Sequence, residues 1–210
     1  MANKDLTVIA SGGDGDGFAI GMGHTVHALR RNMDMTYIVM DNQIYGLTKG
    51  QTSPSSAKGF VTKSTPKGNI EQNIAPLELA ISSGATFVAQ SFSSDIKELT
   101  SIIEEAINHK GFSFVNVFSP CVTYNKINTY DWFKENLTKL ADIEGYDNTN
   151  KSQAMQTVLD TESMITGIIY QDKDTPSYES QIEQFDEQPL VKKSLKLEQN
   201  QFDELVSQFK

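Results

Sequence analysis

The stretch that decides the fold reads Leu6-Thr7-Val8-Ile9-Ala10-Ser11-Gly12-Gly13-Asp14-Gly15-Asp16-Gly17. Its first half is a short apolar, β-branched run, which predicts a buried strand over residues 6–11. A helical pattern follows over residues 18–31, and a second apolar run predicts another buried strand over residues 35–40. Strand, glycine-rich turn, helix and strand in so short a stretch predict a βαβ unit, whose two strands run parallel.

The same alternation continues along the chain. Apolar periodicity and end signals predict further elements, which are helices over 76–83 and 94–109, strands over 86–91 and 112–118, and then helices over 130–141 and 152–160 and a strand over 164–170. We therefore expect an α/β fold with an open, mostly parallel sheet and helices on both faces. We expect a core over residues 1–125 and a C-terminal extension over residues 126–210 with an acidic tail.

Residues 48–73 interrupt this alternation. They are rich in Thr, Ser, Lys, Gly and Pro and show little periodicity. A segment of that length without regular structure inside a compact domain is usually a functional lid or a mobile loop, and we expect the same here.

Composition limits the class of protein. The 210 residues are 38% hydrophobic, enough for a packed core, and carry a net charge of −9. Residues 1–140 hold 13 acids and 12 bases, whereas residues 141–210 hold 14 acids and 6 bases, so no basic patch suggests a nucleic-acid partner. No apolar run approaches the ~18 residues of a membrane span. With one cysteine and no signal-peptide pattern before the first strand, we expect a cytoplasmic protein.

The glycine–aspartate turn over residues 12–17 predicts a metal–diphosphate site. Glycines let a ligand approach the backbone, and the following helix offers free N–H groups to a phosphate. Two carboxylates would repel a bare phosphate, but Mg²⁺ binds carboxylates and phosphate oxygens together. The spacing fits neither a dinucleotide fingerprint nor an EF-hand loop. The alternative interpretation is an ordinary tight turn with two solvated aspartates.

A second polar cluster follows the next strand. Asn42 comes 28 residues after Asp14, at the end of the second predicted strand. The carboxyl ends of parallel strands share one sheet edge, where ligands bind in open α/β sheets. Asp14 and Asn42 are therefore expected to direct two oxygens at one cation, and residues 46–48 add N–H groups and a hydroxyl for a second phosphate.

The two clusters together resemble a known family. Gly13-Asp14-Gly15 followed by Asp41-Asn42-Gln43-Ile44-Tyr45-Gly46 resembles the diphosphate-binding motif of thiamine diphosphate enzymes. A longer match, over residues 5–170, indicates a narrower family. It includes His24, Arg30-Arg31-Asn32 and Leu47-Thr48-Lys49-Gly50-Gln51. It resembles the beta subunit of 2-oxoacid:ferredoxin oxidoreductases, and within them the 2-oxoglutarate type.

The resemblance implies a thiamine diphosphate-binding fold and a set of site residues. Mg²⁺ would be held by the side chains of Asp14 and Asn42 and by the backbone carbonyl of Ile44. Further residues would contact the cofactor, namely Gly13, Gly15, Asp16, Gly46, Leu47 and Thr48. Lys49 matches a catalytic-site lysine that the family places near coenzyme A or substrate, and its alternative is a solvated loop lysine.

The resemblance also implies an activity and partners. The intact enzyme would decarboxylate a 2-oxo acid oxidatively, pass electrons through a four-iron four-sulfur cluster to ferredoxin, and form an acyl-CoA. An alpha subunit would complete the site. The sequence shows no carboxylate-binding arginine pair, so 2-oxoglutarate is preferred on the family match alone. The alternative is a non-enzymatic α/β nucleotide- or metal-binding module or an interaction fragment.

The sequence departs from the family around its cysteine. The family has further strands and cluster-binding cysteines upstream of the metal motif, so we expect this chain to be an N-terminally truncated fragment with those strands missing. Cys121, in Ser119-Pro120-Cys121, matches a cluster ligand of the intact protein, and otherwise would be a small buried hydrophobe. One thiolate cannot hold a cluster that needs four, so we expect none in this chain alone.

The histidines and the single tryptophan are given structural roles. His24 and His27 lie three residues apart without further metal ligands nearby, so we interpret them as helix-packing histidines. Trp132 is expected to anchor the C-terminal extension. His109 falls in the last turn of a predicted helix, where a cation suits the helix dipole.

Overall fold

The computed structural model describes residues 2–183, 189–194 and 196–209. They form two compact units, one of residues 7–178 and one that combines residues 2–6 with the described part of 179–209. The predicted boundary between residues 125 and 126 stays a prediction. The large unit carries every residue predicted for the site.

Within the described residues, the strands form one six-stranded sheet in the order β1-β2-β4-β3-β6-β5. Their bounds are β1 Ile9–Gly13, β2 Met35–Asp41, β3 Phe87–Phe92, β4 Phe112–Phe118, β5 Thr138–Lys139 and β6 Ile165–Gln171. The pairs β1–β2, β2–β4 and β4–β3 are parallel, and β6 joins β3 antiparallel. The expected open, mostly parallel sheet is confirmed.

Along the chain, the helices of the large unit alternate with these strands. They are α1 Met22–Arg31, α2 Pro76–Ser83, α3 Ile96–Asn108, α4 Tyr130–Asn136 and α5 Lys151–Asp160. A π-helical turn, Asp16–Ile20, precedes α1, so the single helix predicted from residue 18 is wrong at its start. The predicted helix over 130–141 is also too long, because the chain becomes extended at Leu137 and then pairs with β6.

Helices cover both faces of the sheet, as predicted. One apolar cluster joins Leu29 of α1, Ile81 of α2 and Val158 of α5 to one face. The other cluster packs Ile102 of α3 against the opposite face. Side chains alternate along β4, so Phe114 enters the first cluster while Val115 enters the second.

A smaller aromatic cluster closes the carboxyl ends of β3 and β4. Phe92, Phe118 and Phe133 are buried together, and the ring centroids of Phe118 and Phe133 lie 4.6 Å apart. Trp132 packs edge-on against Phe133, which agrees with its predicted anchoring role. This cluster attaches α4 to the sheet beside the candidate site.

The prediction for the α1 histidines is wrong. His24 and His27 are both exposed on α1, and Nδ1 of His27 accepts a hydrogen bond from Nε of Arg30 at 3.3 Å. Ile20, at the end of the π-helical turn, is also exposed. Both histidines lie on the solvent side of α1, whose buried positions are Thr25 and Leu29.

A buried polar cluster lies at the sheet edge opposite the candidate site. The hydroxyl of Thr86 donates to Oδ1 of Asn32 at 2.8 Å and lies 2.7 Å from Nε2 of His109. Since that hydroxyl has one proton, Nε2 of His109 is the donor to Thr86. Burial lowers the pKa of His109, against smaller raising effects of Asp34 and Asp172. His109 is therefore a neutral buried group, not the helix-dipole cation expected from sequence.

The contribution of His109 to stability should fall as the pH drops below about 6.5, the value for an unperturbed histidine, whereas the raised pKa of Asp41 acts in the opposite direction. There the unfolded chain takes up a proton at His109 that the folded chain, with its lowered pKa, still excludes. Urea unfolding of the wild type and of His109→Gln at pH 7.5 and 5.5 measures this loss as the difference between their pH responses. We expect His109→Gln to reduce it, whereas His24→Gln, on exposed α1 surface, should leave it unchanged. Equal losses in the wild type and His109→Gln would contradict the assignment.

The small unit has local structure of its own. Helix α6, Gln199–Ser207, begins with a capping box between Glu198 and Gln201. Lys192 forms a 2.7 Å ion pair with Asp5. Across the described ranges of both units, no helix combines the length and apolar character needed to span a membrane.

Candidate metal and cofactor site

Two buried carboxylates meet at the carboxyl ends of β1 and β2. Asp14 follows β1 directly and Asp41 ends β2, and each is 2% exposed. They share one sheet edge because Gly13 pairs with Met40 in the parallel β1–β2 register. The hydroxyl of Ser55 lies between them, donating to Oδ2 of Asp14 and lying 2.8 Å from Oδ1 of Asp41.

The charges of these acids are not balanced by basic side chains. Among the described residues, neither Asp14 nor Asp41 forms an ion pair with a lysine, arginine or histidine. Burial, and then the charge of Asp14, raise the pKa of Asp41, while hydrogen bonds from Ser55 and Asn116 oppose the shift. A water-excluded pair of carboxylates with no cation of its own favours binding of a metal ion.

Asn42 and Ile44 supply further oxygens beside the acids. Oδ1 of Asn42 accepts a hydrogen bond from the Ile44 N–H at 3.0 Å, in an Asx turn that places Gln43 at φ +58°. No described residue donates to the carbonyl oxygen of Ile44. The structure brings Asn42 to the edge that carries Asp14, but it records no direct contact between their side chains.

The glycine turn leaves room for an aromatic side chain. A Cβ atom on Gly15 would overlap the ring of Tyr45, so only glycine allows this approach. Asp16 is exposed, and its Oδ2 accepts a hydrogen bond from the Gly13 N–H at 2.8 Å. Burial and the charges of Asp14 and Asp16 raise the pKa of Tyr45. The turn and the following cluster are therefore in contact, as the motif predicted.

The residues after Tyr45 form an open loop. Tyr45 and Gln51 make an antiparallel bridge, and the loop between them exposes Leu47 almost fully. Thr48 is exposed, with its hydroxyl bonded to the side chain of Gln51. Lys49 is exposed at φ +76° and forms no ion pair with the described residues. This loop offers a cation and open backbone to a ligand.

Cys121 lies against this loop. A Cβ atom on Gly46 would sit 3.6 Å from Sγ of Cys121, whose thiol is free and partly exposed. The Ser119 N–H donates to the Asp41 carbonyl at 2.8 Å, which brings the chain after β4 to the site. A four-iron cluster needs four thiolates and the sequence has one cysteine, so these residues alone do not fit that group.

The segment over residues 48–73 is folded onto the site. It is irregular, yet Ser53, Ser55, Ser56 and Asn69 are buried. The Asn69 amide donates to the Ser56 carbonyl at 3.2 Å, and the Ile74 N–H to the Pro54 carbonyl at 2.8 Å. A cavity of about 400 Å³ lies along it, lined in part by Phe18, Tyr45 and Ser53.

Sequence reasoning missed the buried partners of the carboxylates. Ser55 stands 41 residues after Asp14 in a segment without periodicity, so no spacing rule marks it. Asn116 lies within an apolar strand pattern, yet its amide is 3.3 Å from Oδ2 of Asp41. The sequence marks Asn116 in one way, which is that a polar residue stands at an inward-facing position of an apolar strand.

These residues fit a magnesium–diphosphate group. The atoms of Asp14, Asn42 and Ile44 that could coordinate a metal are all oxygens, which suits Mg²⁺. The free backbone carbonyl of Ile44 matches the ligand that the motif implies. The absence of a side chain at Gly15 lets the Tyr45 ring lie directly against the glycine turn. The described residues include no group of three or more His, Cys, Asp or Glu side chains placed to hold a metal ion, so a metal here would also need the amide and carbonyl oxygens of Asn42 and Ile44.

Comparison with protein families defines the class. Residues 1–117 match the family model of the thiamine pyrophosphate enzyme C-terminal TPP-binding domain, and residues 121–187 match that of the C-terminal region of the pyruvate ferredoxin oxidoreductase beta subunit. The fold is that of a thiamine diphosphate-binding domain. More narrowly, the chain belongs to the family of 2-oxoacid:ferredoxin oxidoreductase beta subunits.

Individual relatives agree with this assignment. The chain is 44% identical over 192 residues to the beta subunit of a 2-oxoacid:ferredoxin oxidoreductase from Sulfolobus sp., with 87% of this chain and 63% of the relative covered. It is 50% identical over 147 residues to the corresponding subunit of Saccharolobus solfataricus, covering 70% of this chain and 48% of the relative. The chain therefore spans about half to two thirds of these relatives.

A solved structure shares the fold. The 2-oxoglutarate:ferredoxin oxidoreductase from Magnetococcus marinus, with 2-oxoglutarate, coenzyme A and succinyl-CoA bound, superimposes with a TM-score of 0.85 at 37% identity. The match covers 95% of this chain and 67% of that chain. The similarity extends over nearly the whole of the present sequence.

Proposed function

We propose that this chain is the part of a 2-oxoacid:ferredoxin oxidoreductase that anchors thiamine diphosphate through Mg²⁺. The observation that carries the proposal is the pair of buried carboxylates, Asp14 and Asp41, without a basic partner among the described residues. The pair stands beside a glycine turn within residues 1–117, the range matched by the thiamine pyrophosphate family. The reaction would be oxidative decarboxylation of a 2-oxo acid to an acyl-CoA with reduction of ferredoxin.

The metal would be held by oxygens of three residues. Asp14 and Asn42 would bind it through their side chains, and Ile44 through its backbone carbonyl. When bound, thiamine diphosphate supplies carbanion stabilisation, and the protein supplies orientation and electrostatics. The residues that would contact thiamine diphosphate are Gly13, Gly15, Asp16, Gly46, Leu47 and Thr48. Of these, Leu47 and Thr48 are exposed in the loop, where their backbone is open to phosphate oxygens.

Lys49 would act on the anionic groups of the reactants. Its exposed position in the open loop, without an ion-pair partner among the described residues, leaves its ammonium group available. A carboxylate of the 2-oxo acid or a phosphate of coenzyme A would be attracted to it. Lys49 would thus bind and orient a reactant at the edge of the site.

Other subunits would complete the enzyme. The relatives are named as beta subunits, so an alpha subunit is the expected partner, with ferredoxin as electron acceptor. Relatives named 2-oxoglutarate synthase or oxidoreductase subunits favour 2-oxoglutarate as the 2-oxo acid. Cys121 would contribute one thiolate to an iron–sulfur cluster whose other ligands lie outside this sequence.

Calorimetry with the full chain tests the anchoring role. We expect thiamine diphosphate to bind at one site per chain with Mg²⁺ present and not to bind in EDTA, because the buried carboxylates alone repel a diphosphate. ATP and NAD serve as controls for a general nucleotide-binding module. Binding of ATP or NAD without any response to thiamine diphosphate would contradict the proposal.

A further inference from the structure

Ser55 is the link between the metal carboxylate and the irregular segment. Its side chain is 4% exposed, and its hydroxyl contacts both Asp14 and Asp41. A hydroxyl carries one proton and can donate to one carboxylate at a time. Both contacts are within hydrogen-bond distance, so the hydroxyl links Asp14, which would ligate the metal, to Asp41.

The fold of the segment does not depend on this hydroxyl. The turn over residues 53–56 is closed by Ser56, whose Oγ accepts from the Ser53 N–H at 2.8 Å and donates to the Gln43 carbonyl at 2.6 Å. Asn69 joins the two halves of the segment. Among the described residues, the two close contacts of the Ser55 hydroxyl are both with the acids, and its contact with Oγ of Ser53 is a marginal one of 3.5 Å.

The far side of the pair is fixed by the sheet. The Asn116 amide donates to Oδ2 of Asp41 at 3.3 Å and to Oε1 of Gln90 at 2.9 Å. Gln90 in turn donates to the carbonyls of Ser163 and Ile165 at 2.6 and 2.7 Å. This chain of buried hydrogen bonds crosses β4, β3 and β6, so Asp41 is a rigid support against which Ser55 rests.

We propose that Ser55 is a positioning residue that holds the Asp14 carboxylate in place for the divalent cation. The inference rests on the proposed function, since Asp14 is assigned there as a metal ligand. Partners that orient a metal ligand contribute strongly to affinity, and their loss typically weakens metal binding about 10- to 100-fold. The proposed role of Ser55 also makes residues 53–56 part of the cation site. Cation binding and the order of this segment are therefore coupled in both directions.

A magnesium titration at fixed thiamine diphosphate tests the role of Ser55. We expect Ser55→Ala to require about 10- to 100-fold more Mg²⁺ for half-maximal cofactor binding, while Ser55→Thr, which keeps the hydroxyl, stays near the wild type. Ser53→Ala is the matched control, because Ser53 is buried in the same turn but does not touch either carboxylate. If Ser55→Ala does not fold, Ser55→Cys, which is close in size but a weak donor, takes its place.

The outcomes separate this inference from the proposed function. If the wild type does not bind thiamine diphosphate with Mg²⁺, the proposed function fails. If the wild type binds and Ser55→Ala requires the same Mg²⁺ concentration, the positioning role is wrong while the function stands. A Ser53→Ala effect as large as that of Ser55→Ala, or a Ser55→Thr variant as weak as Ser55→Ala, would also overturn it.

Limited proteolysis gives a readout independent of cofactor affinity. Lys58, Lys63 and Lys67 are exposed on the segment and are sites for trypsin. Mg²⁺ with thiamine diphosphate should slow cleavage after these lysines in the wild type and in Ser53→Ala. At saturating ligand the protection should be smaller in Ser55→Ala, because the bond that couples the segment to Asp14 is absent. Equal protection in Ser55→Ala would contradict the coupling.

Discussion

Asp14→Asn should abolish Mg²⁺-dependent binding of thiamine diphosphate and at the same time make the chain more stable in EDTA. The carboxylate is buried beside Asp41 and has no ion-pair partner among the described residues, and its charge raises the pKa of Asp41. An amide removes that repulsion and can still bond to the Ser55 hydroxyl, but it is a poor replacement for a charged ligand of Mg²⁺.

Both effects should be large enough to measure. Loss of a direct ligand should weaken metal-dependent binding by at least about 100-fold, because even partners one shell away cost 10- to 100-fold. Relief of a buried unpaired charge should add about 1 kcal/mol or more. For a chain of this size, 1 kcal/mol corresponds to a rise of roughly 2–4 °C in Tm. Calorimetry measures the first effect and thermal unfolding in EDTA the second.

Asp16→Asn is the matched control for this pair of effects. Asp16 lies two residues further along the same turn, but it is exposed, and an asparagine there can still accept the hydrogen bond from Gly13. We expect the Tm of Asp16→Asn to equal that of the wild type. Its Mg²⁺-dependent binding of thiamine diphosphate should weaken far less than that of Asp14→Asn. If Asp14→Asn binds the cofactor as tightly as the wild type, the assignment of Asp14 as a metal ligand is wrong.

Elements with clear local end signals could be predicted from the sequence. Strand β4, Phe112–Phe118, and helix α2, Pro76–Ser83, lie where they were predicted. In α2 the proline stands in the first turn, and Gly84 ends the helix at φ +97°, a conformation that glycine adopts easily. The first strand was placed too early, because pairing with β2 and not the apolar run fixes its bounds at Ile9–Gly13.

The candidate site was predictable where it is local and not where it depends on tertiary contacts. The turn around Asp14 and the cluster around Asn42 each follow a strand, so the parallel order of β1 and β2 was enough to bring them together. Ser55 and Asn116 reach the carboxylates only through the folding of an irregular segment and the stacking of β4 beside β2. Neither arrangement has a sequence period that could reveal it.

Gly21→Ala should destabilise the chain strongly, whereas Gly23→Ala, two residues later, should not. Gly21 joins the π-helical turn to α1, and its N–H donates to the Asp16 carbonyl at 2.9 Å. A Cβ atom on Gly21 would overlap that same carbonyl oxygen. Because the obstacle is backbone and not a movable side chain, the turn itself must shift, at a cost on the order of 3 kcal/mol.

Gly23 provides the comparison within the same helix. A Cβ atom there meets no atom within 4 Å, so alanine adds helix propensity without a clash. Gly23→Ala should therefore raise stability by about 0.5–1 kcal/mol. Urea unfolding of both variants measures the difference, and equal stability would show that the turn yields easily. Because this turn begins with Asp16, two residues after Asp14, we expect Gly21→Ala to weaken cofactor binding as well, and Gly23→Ala to leave it intact.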